Sequence, residues 1–403
     1  MSLQASNIPH TDLSTEGVKL RELNIHTSDR ISFKRCRRVW NWQSPLREFL
    51  QKKERRMPLW FGTGWHFVME DFHGYRQYDS PVDTWRDYVK ATHVFYGEEY
   101  MPDDWRTAAE LGEGMARYYE LWLQGRDELK TLWIDGVPQV EVNFKIPLPV
   151  SQEILDLHDI DVVYYNGTLD RVIKNDYGML SIGEYKTAKA IYRAHYLTDP
   201  QVTAYSWGAQ AIYEQLIEGC YYYQFKKNVP DEPLILRSGQ VSTNKQASTT
   251  HRFYRDVLIR LYGDVLLAPK ANVDHLNYLA GCESSENDGF ISRDFLMRNE
   301  HSLQVEGLKI LMEIEDMLNP NIALYPNPTR ECTMFPCDFI EACVNLDDGS
   351  DWQGVLELEF EQRSKEKDSW RPLLRKHSPI KEIVLQSPPP LLVEQLRLQQ
   401  SQQ

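Results

Sequence analysis

The sequence predicts an α/β or α+β protein, a central sheet with helices packed around it. Three observations carry that expectation. In "QVEVNFKIPLPV" the residues Val140, Val142, Phe144, Ile146, Leu148 and Val150 alternate with others, the pattern of a half-buried strand. "NGTLDRVIK" and "GMLSIGEYKTA" flank Asn175-Asp176-Tyr177-Gly178, which reads as a tight turn between two strands. "DPQVTAYSWGAQAIYEQLIEG" reads as a helix with Pro200 in its first turn and Gly219 past its end, and "CYYYQFKK" follows as a strand.

The remaining elements follow in chain order. Residues 1–30 read as a flexible leader. From Ile31 to about Lys130 the pattern is mostly helical and rich in Trp and Tyr. Within it, "DDWRTAAELGEGMARYYELWLQG" offers Asp103 or Asp104 as N-cap and Gly125 as a stop. After the strand at Cys220 comes a polar, Ser/Thr-rich loop, "RSGQVSTNKQASTTHRFY", then helices. "LNPNIALYPNPTRECTMFPCDFIEAC" is Pro-rich and irregular. Residues 346–403 read as a C-terminal extension, charged past Arg363, partly extended or disordered, with one short helix.

The chain has 403 residues, 42% hydrophobic and 26% charged, enough for a large core in one elaborate domain or two modest ones. It lacks the roughly eighteen-residue apolar run of a membrane span. The polar start, "MSLQASNIPHTDLSTEG", lacks the apolar segment of a signal peptide, so a cytoplasmic, membrane-free protein is expected. Six cysteines in such a compartment do not suggest a disulfide framework. A net charge of −14 argues against a general nucleic-acid coat. Yet Arg30, Lys34, Arg35, Arg37, Arg38, Lys52, Lys53, Arg55 and Arg56 crowd together, while acids gather elsewhere, as from Val355 to Glu361. That basic stretch is either a solvated face or a surface for phosphates.

The hairpin carries the chemistry. Glu184 and Lys186 are two apart on one strand and share a face. Asp170, on the partner strand, comes nearly opposite Glu184 if the register holds; a slip of one residue turns it away. Converging carboxylates favour a hard cation such as Mg²⁺ or Mn²⁺, which activates water and offsets phosphate charge. A nearby ammonium can hold that water. The plain alternative is a cross-hairpin salt bridge. Three further features bear on the choice. His66 lies upstream on a predicted helix; with Glu70 and His73 it shares a face that would also suit a small zinc site. Gln201 and Tyr205, four apart on the next helix, face the same way and could reach a phosphate or the lysine. Finally, Cys332, Cys337 and Cys343 cluster, with Cys36 far upstream. Four such thiolates suit a [4Fe–4S] cluster, with zinc the rival and unligated thiols the third reading. Cys220 and Cys282 read as ordinary core or surface residues.

Together, "GTLDRV", "GEYKTA", "QVTAY" and the upstream "GTGWHFVMED" resemble, in order and spacing, the RecB-type branch of the PD-(D/E)XK nucleases. "FKRCRRVWNW" and "ECTMFPCDFIEAC" resemble the one early and three late cysteines of its iron–sulfur members, the CRISPR-associated and AddB-like nucleases. The late set here runs C-x4-C, where the family more often has C-x-x-C. "LRSGQVSTNKQAST" and "NDGFISRDFLMRNE" resemble segments of phage-encoded members. The resemblance spans about Ser32 to Cys343. It implies a restriction-endonuclease-like three-layer core over 31–345, a helical insertion at 61–130, and a cluster joining Cys36 to Cys332, Cys337 and Cys343. It implies that His66, Asp170, Glu184 and the Tyr185 carbonyl bind Mg²⁺ or Mn²⁺. Lys186 would orient the attacking water, and Gln201 and Tyr205 would support the site, with Glu141 as an extra contributor. The implied activity is DNA phosphodiester hydrolysis, as an exonuclease in end processing or recombination. The implied partners are DNA, single-stranded or with free ends, and a recombinase or helicase. Arg35, Arg37, Arg38, Lys52, Lys53, Arg55 and Arg56 would meet its phosphates. The alternative is a catalytically silent iron–sulfur scaffold that binds DNA.

Overall fold

The structure is a computed structural model. It describes residues 21–53, 57–97, 104–124, 126, 129–192, 199–284, 286–327, 332, 337–363, 370–376, 378–379 and 381–400. Arg55, Arg56, Asp103, Gly125 and residues 1–20 of the predicted leader lie outside that set.

Seven strands form one mixed sheet. They are β1 (Glu22–His26), β2 (Val140–Pro147), β3 (Val162–Lys174), β4 (Leu180–Ala188), β5 (Ile217–Lys226), β6 (Ile291–Met297) and β7 (Lys381–Val384). The order is β7-β2-β3-β4-β5-β6. β2–β3, β3–β4 and β5–β6 are antiparallel, whereas β7–β2 and β4–β5 are parallel. β1 runs parallel to the first part of β3, from Glu22 beside Val162 to His26 beside Asn166. β2 already lies along one edge of β3, so β1 and β4 share the other edge in succession.

The hairpin, the strand from Val140 and the strand at Cys220 are all present as the sequence predicts. Gly178 closes the turn with φ 85, donating its N–H to Asn175 O at 3.0 Å. Positive φ there is what glycine permits. The helix at Pro200 stops earlier than predicted, at Tyr213, where Glu214 takes a left-handed conformation. Gly219 therefore belongs to β5. A Cβ on it would lie 2.2 Å from Leu296 O, so only glycine admits β6 at that distance.

Helices cover both faces. On one, α1 (Thr27–Arg35), α7 (Pro200–Tyr213) and α10 (Glu300–Leu318) bury Phe33, Val202, Trp207, Leu303 and Ile314 against Phe144, Tyr165 and Ile182. On the other, α3 (Met57–His73), α4 (Pro81–Tyr96) and α5 (Trp105–Leu123) form an aromatic core. There Trp65, Trp85, Tyr119 and Trp122 are almost wholly buried against Tyr185, Tyr223 and Phe225. Each such side chain contributes about 1.5–3 kcal/mol or more on leaving water, which is why the predicted helical segment holds so many aromatic residues. Separately, α2 (Arg37–Gln43), α11 (Ile340–Asp348) and α12 (Trp352–Glu359) pack around Trp42, Phe339 and Phe360. A two-stranded ribbon, Leu50–Lys52 against Phe360–Gln362, ties the early and late segments of that unit together. Between β5 and β6, α8 (His251–Tyr262) and α9 (Lys270–Cys282) make a small core of their own. α6 (Gln152–His158) lies between β2 and β3.

Two predicted boundaries are corrected. Residues 22–30 are no leader: β1 is part of the main sheet and Ile25 is fully buried. Nor is the chain past 380 merely extended. β7 is an edge strand beside β2, and α13 (Pro390–Gln400) follows, with Leu392 in the core. Five- and four-residue strands with distant partners leave no local pattern strong enough to read.

Candidate metal centre and cysteine cluster

The β3–β4 ladder ends at Arg171 facing Gly183, so one step further Asp170 faces Glu184. On the other edge, Val140 pairs with Arg171 and Val142 with Leu169, which places Glu141 beside Asp170. Three acids thus stand in a row across β2, β3 and β4, on strands about 4.8 Å apart. The expected register holds. Glu141 adopts φ 47 within its strand, a left-handed conformation that costs a non-glycine residue about 1–2 kcal/mol. Such strain persists where the surroundings impose it, often at functional sites.

His66 descends from α3 onto this row. Its Nδ1 lies 3.2 Å from Asp170 Oδ1 and 3.3 Å from Glu141 Oε1. His66, Glu141 and Asp170 each offer a donor atom, all within 4.8 Å of one another, the one such trio among the described residues. Asp170 is only 6% exposed, and its other oxygen accepts the Tyr185 N–H at 2.8 Å. Burial works against a charged His66, but Asp170 and then Glu141 override it and hold the imidazolium well above its usual range. A positive charge is stabilised at that point, which is what a hard cation needs.

Glu184 is adjacent but engaged otherwise. It is 2% exposed, forms a close ion pair with Lys186 Nζ, and accepts from Gln201 Nε2 at 2.9 Å. Lys186 also donates to Gln201 Oε1 at 3.0 Å. Burial, then the Asp170 charge, push the Glu184 carboxyl upward against the pull of Lys186. Lys186 itself is raised: burial opposes its charge, and Glu184 and Asp170 outweigh that. Gln201 reaches the lysine, one of its two expected targets, and bridges acid and ammonium from the first turn of α7. Tyr205, one turn on, packs edge-on to Phe144, and burial raises its phenol. Gly167 makes the room, since a Cβ there would meet Phe144 Cζ at 2.5 Å and Tyr205 Cε1 at 2.9 Å.

Relative to the sequence expectation, Glu141 replaces Glu184 in the tight donor set. Glu141 sat on the expected polar side of its strand, but its role depends on the β2–β3 register. The Tyr185 side chain points away, stacking on His73 at 5.8 Å. Two residues of the small zinc site weighed on α3 have other partners. His73 is buried and bonded through Nε2 to Tyr119 Oη at 2.7 Å, and Glu70 pairs with Arg371 at 2.9 Å. Tyr222, unremarked in the sequence, lies beside Glu184 on β5, its hydroxyl 3.3 Å from Asp199 Oδ2.

Cysteines of the early and late segments lie near one another. Cys36 is 8% exposed and shares a core with Cys337 and Cys343. Burial raises the Cys337 thiol, and Cys332 and Cys36 are near enough to raise it further; burial likewise raises Cys343, with Cys36 adding to it. Asn327 N–H donates to Cys36 Sγ at 3.4 Å, and Arg38 Nη1 donates to Cys343 Sγ at 3.1 Å. Cys220 is a buried core residue and Cys282 is exposed, as read.

The basic stretch is largely occupied by internal partners. Arg38 also pairs with Asp347 at 2.8 Å and Lys52 with Glu359 at 3.4 Å. Lys53 Nζ donates to the carbonyls of Glu357 and Leu358. Arg37 lies over the Phe33 and Tyr325 rings, and the Arg35 carbonyl accepts from Asn327. Lys52 and Lys53 nevertheless line a cavity of about 300 Å³ with Arg363, Trp60 and Tyr96, whose wall includes Thr63, three residues before His66.

Comparison with known protein families and with curated proteins finds no match to this chain. No helix among the described residues is long and apolar enough to cross a membrane.

Proposed function

We propose that this protein is a metal-dependent DNA nuclease of the RecB-type PD-(D/E)XK kind, acting as an exonuclease in end processing or recombination. The observation that carries the reading is the row Glu141–Asp170–Glu184, with His66 on one side and Lys186–Gln201 on the other. A helix-flanked mixed sheet carrying this row is what a restriction-endonuclease-like core would supply. His66 Nδ1, Glu141 Oε1 and Asp170 Oδ1 would hold Mg²⁺ or Mn²⁺, with room left for water and a phosphate oxygen. Such an ion, when bound, would make its water easier to ionise and supply charge to offset that of the phosphate.

The chain's own residues do the rest. Lys186 stays an ammonium, so it acts as a donor, gripping a water or a phosphate oxygen, and is not the base. The Glu184 carboxylate, whose basicity burial and Asp170 raise, is the adjacent group able to take up a proton. Gln201 fixes both. The cavity lined by Lys52, Lys53 and Arg363 borders α3 at Trp60 and Thr63 and would suit a strand of DNA.

The four cysteines would hold a [4Fe–4S] cluster joining the two ends of the domain. Zinc at the same thiolates is the rival.

End-labelled linear DNA, single- and double-stranded, incubated with Mn²⁺ tests the activity. Wild type should shorten it, while Asp170→Asn and Lys186→Met should lose at least roughly 100-fold in rate and keep DNA affinity. DNA binding without cleavage by the wild type would favour the silent scaffold instead.

A further inference from the structure

The metal trio is held from a part of the chain that the family-like motifs do not include. Lys381 opens β7, beside Val142, and its Nζ donates to Val140 O at 2.7 Å. That carbonyl belongs to the peptide unit entering Glu141. Rotation of this unit about the Glu141 N–Cα bond is φ itself, the angle held at 47°. Fixing the Val140 carbonyl therefore fixes the left-handed turn that aims Glu141 at His66 and Asp170. The Lys381 charge is also felt at Glu141 and Glu70.

A second arm acts on the histidine. Glu70, four residues after His66 on α3, is 4% exposed and bonded by Arg371 Nη2 at 2.9 Å. Trp370 seats that arm edge-on to Phe67 and Tyr88. On the far side, Arg375 pairs with Asp87 of α4 at 3.0 Å, and Asp87 is 3% exposed. The segment thus grips β2 at one end and the α3–α4 pair at the other.

We infer that residues 370–376 and 381–384 form a clamp that sets the metal trio, with Lys381 as the positioning residue for Glu141 and Arg371 as that for the His66 helix. This rests on the trio being a metal site. Neither residue touches the donor atoms; each acts through a neighbour, as outer partners of metal ligands do.

Direct Mn²⁺ titration of the full chain, read by the paramagnetic resonance of free Mn²⁺, tests it without any activity assay. Wild type should bind Mn²⁺ at the trio and His66→Ala should lose it. Lys381→Met should weaken binding roughly tenfold, the lower end for such outer partners. Lys381→Arg, which keeps a donor at that position, should restore most of it. Arg371→Met should give a smaller loss and serves if Lys381→Met does not fold. A role in sheet stability alone would move the melting temperature and leave Mn²⁺ affinity unchanged. Unchanged affinity in both Lys381→Met and Arg371→Met, with His66→Ala defective, overturns the clamp and spares the metal site. A wild type that binds no Mn²⁺ overturns both.

Discussion

Arg38 shows how a single side chain can change meaning once it is placed. In the sequence it is one cation in a basic run. In the fold its guanidinium reaches Cys343 Sγ, the Cys343 carbonyl and Asp347. A donor on a thiolate ligand stabilises the ligand's charge and tunes any cluster it holds. Arg38→Met should therefore lower iron content, read as absorbance near 400 nm per chain, while DNA affinity changes little. The reverse pattern would return Arg38 to the DNA surface. His73 carries a different kind of prediction. Burial, then Arg171 and Arg76, hold its imidazole well below the usual range, so it is neutral when folded. Below about pH 6.5 the unfolded chain binds a proton there and the folded chain does not, so acid favours unfolding. Between pH 6.5 and 5 the wild type should lose up to about 1.4 kcal/mol per pH unit more than His73→Gln. Identical pH profiles would contradict a buried neutral His73. At this scale the sequence is readable where local periodicity decides. Glu184 and Lys186 share a face through strand alternation, and Asp170 joins them once the tight turn sets the hairpin register. Glu141 needed the register of a further strand, and Arg38 needed a contact 305 residues away.

The elements around the site are held to close tolerances. β5 approaches β6 so nearly at Gly219 that a methyl group has no space against the Leu296 carbonyl. Gly219→Ala should cost about 1–3 kcal/mol through forced backbone shifts, seen as a lower denaturation midpoint. A midpoint unchanged from wild type would mean that the two strands can part freely. The helices over 57–123 were legible from their apolar spacing, and the hairpin from its turn residues. β1 and β7 were not. "ELNIH" and "KEIV" are short, and each becomes a strand only through a parallel neighbour more than a hundred residues away. The early end of the helix at Pro200 was hidden for a related reason. Ile217 is claimed by β5, whose pairing with Leu180 overrides helix propensity.

Across the whole molecule, two distant pairs of segments meet. Residues 36–53 pack on 337–363 around the cysteines, and 370–376 with 381–384 bind α3, α4 and β2 around the acidic row. The sequence suggested the first junction through cysteine spacing. The second has no motif, since its links are ordinary Arg and Lys side chains. If the cysteines hold iron, its removal by a chelator should speed amide hydrogen exchange in 36–53 and 337–363. Exchange around Asp170 should change much less. Uniform loosening, or none, would contradict a local staple. The central proposal is narrower: a divalent ion would sit between His66, Glu141 and Asp170, next to Lys186. Anomalous scattering from a Mn²⁺-soaked crystal tests it most directly. The account predicts one strong peak within bonding distance of those three side chains; an empty trio, with Mn²⁺ bound elsewhere, would contradict it.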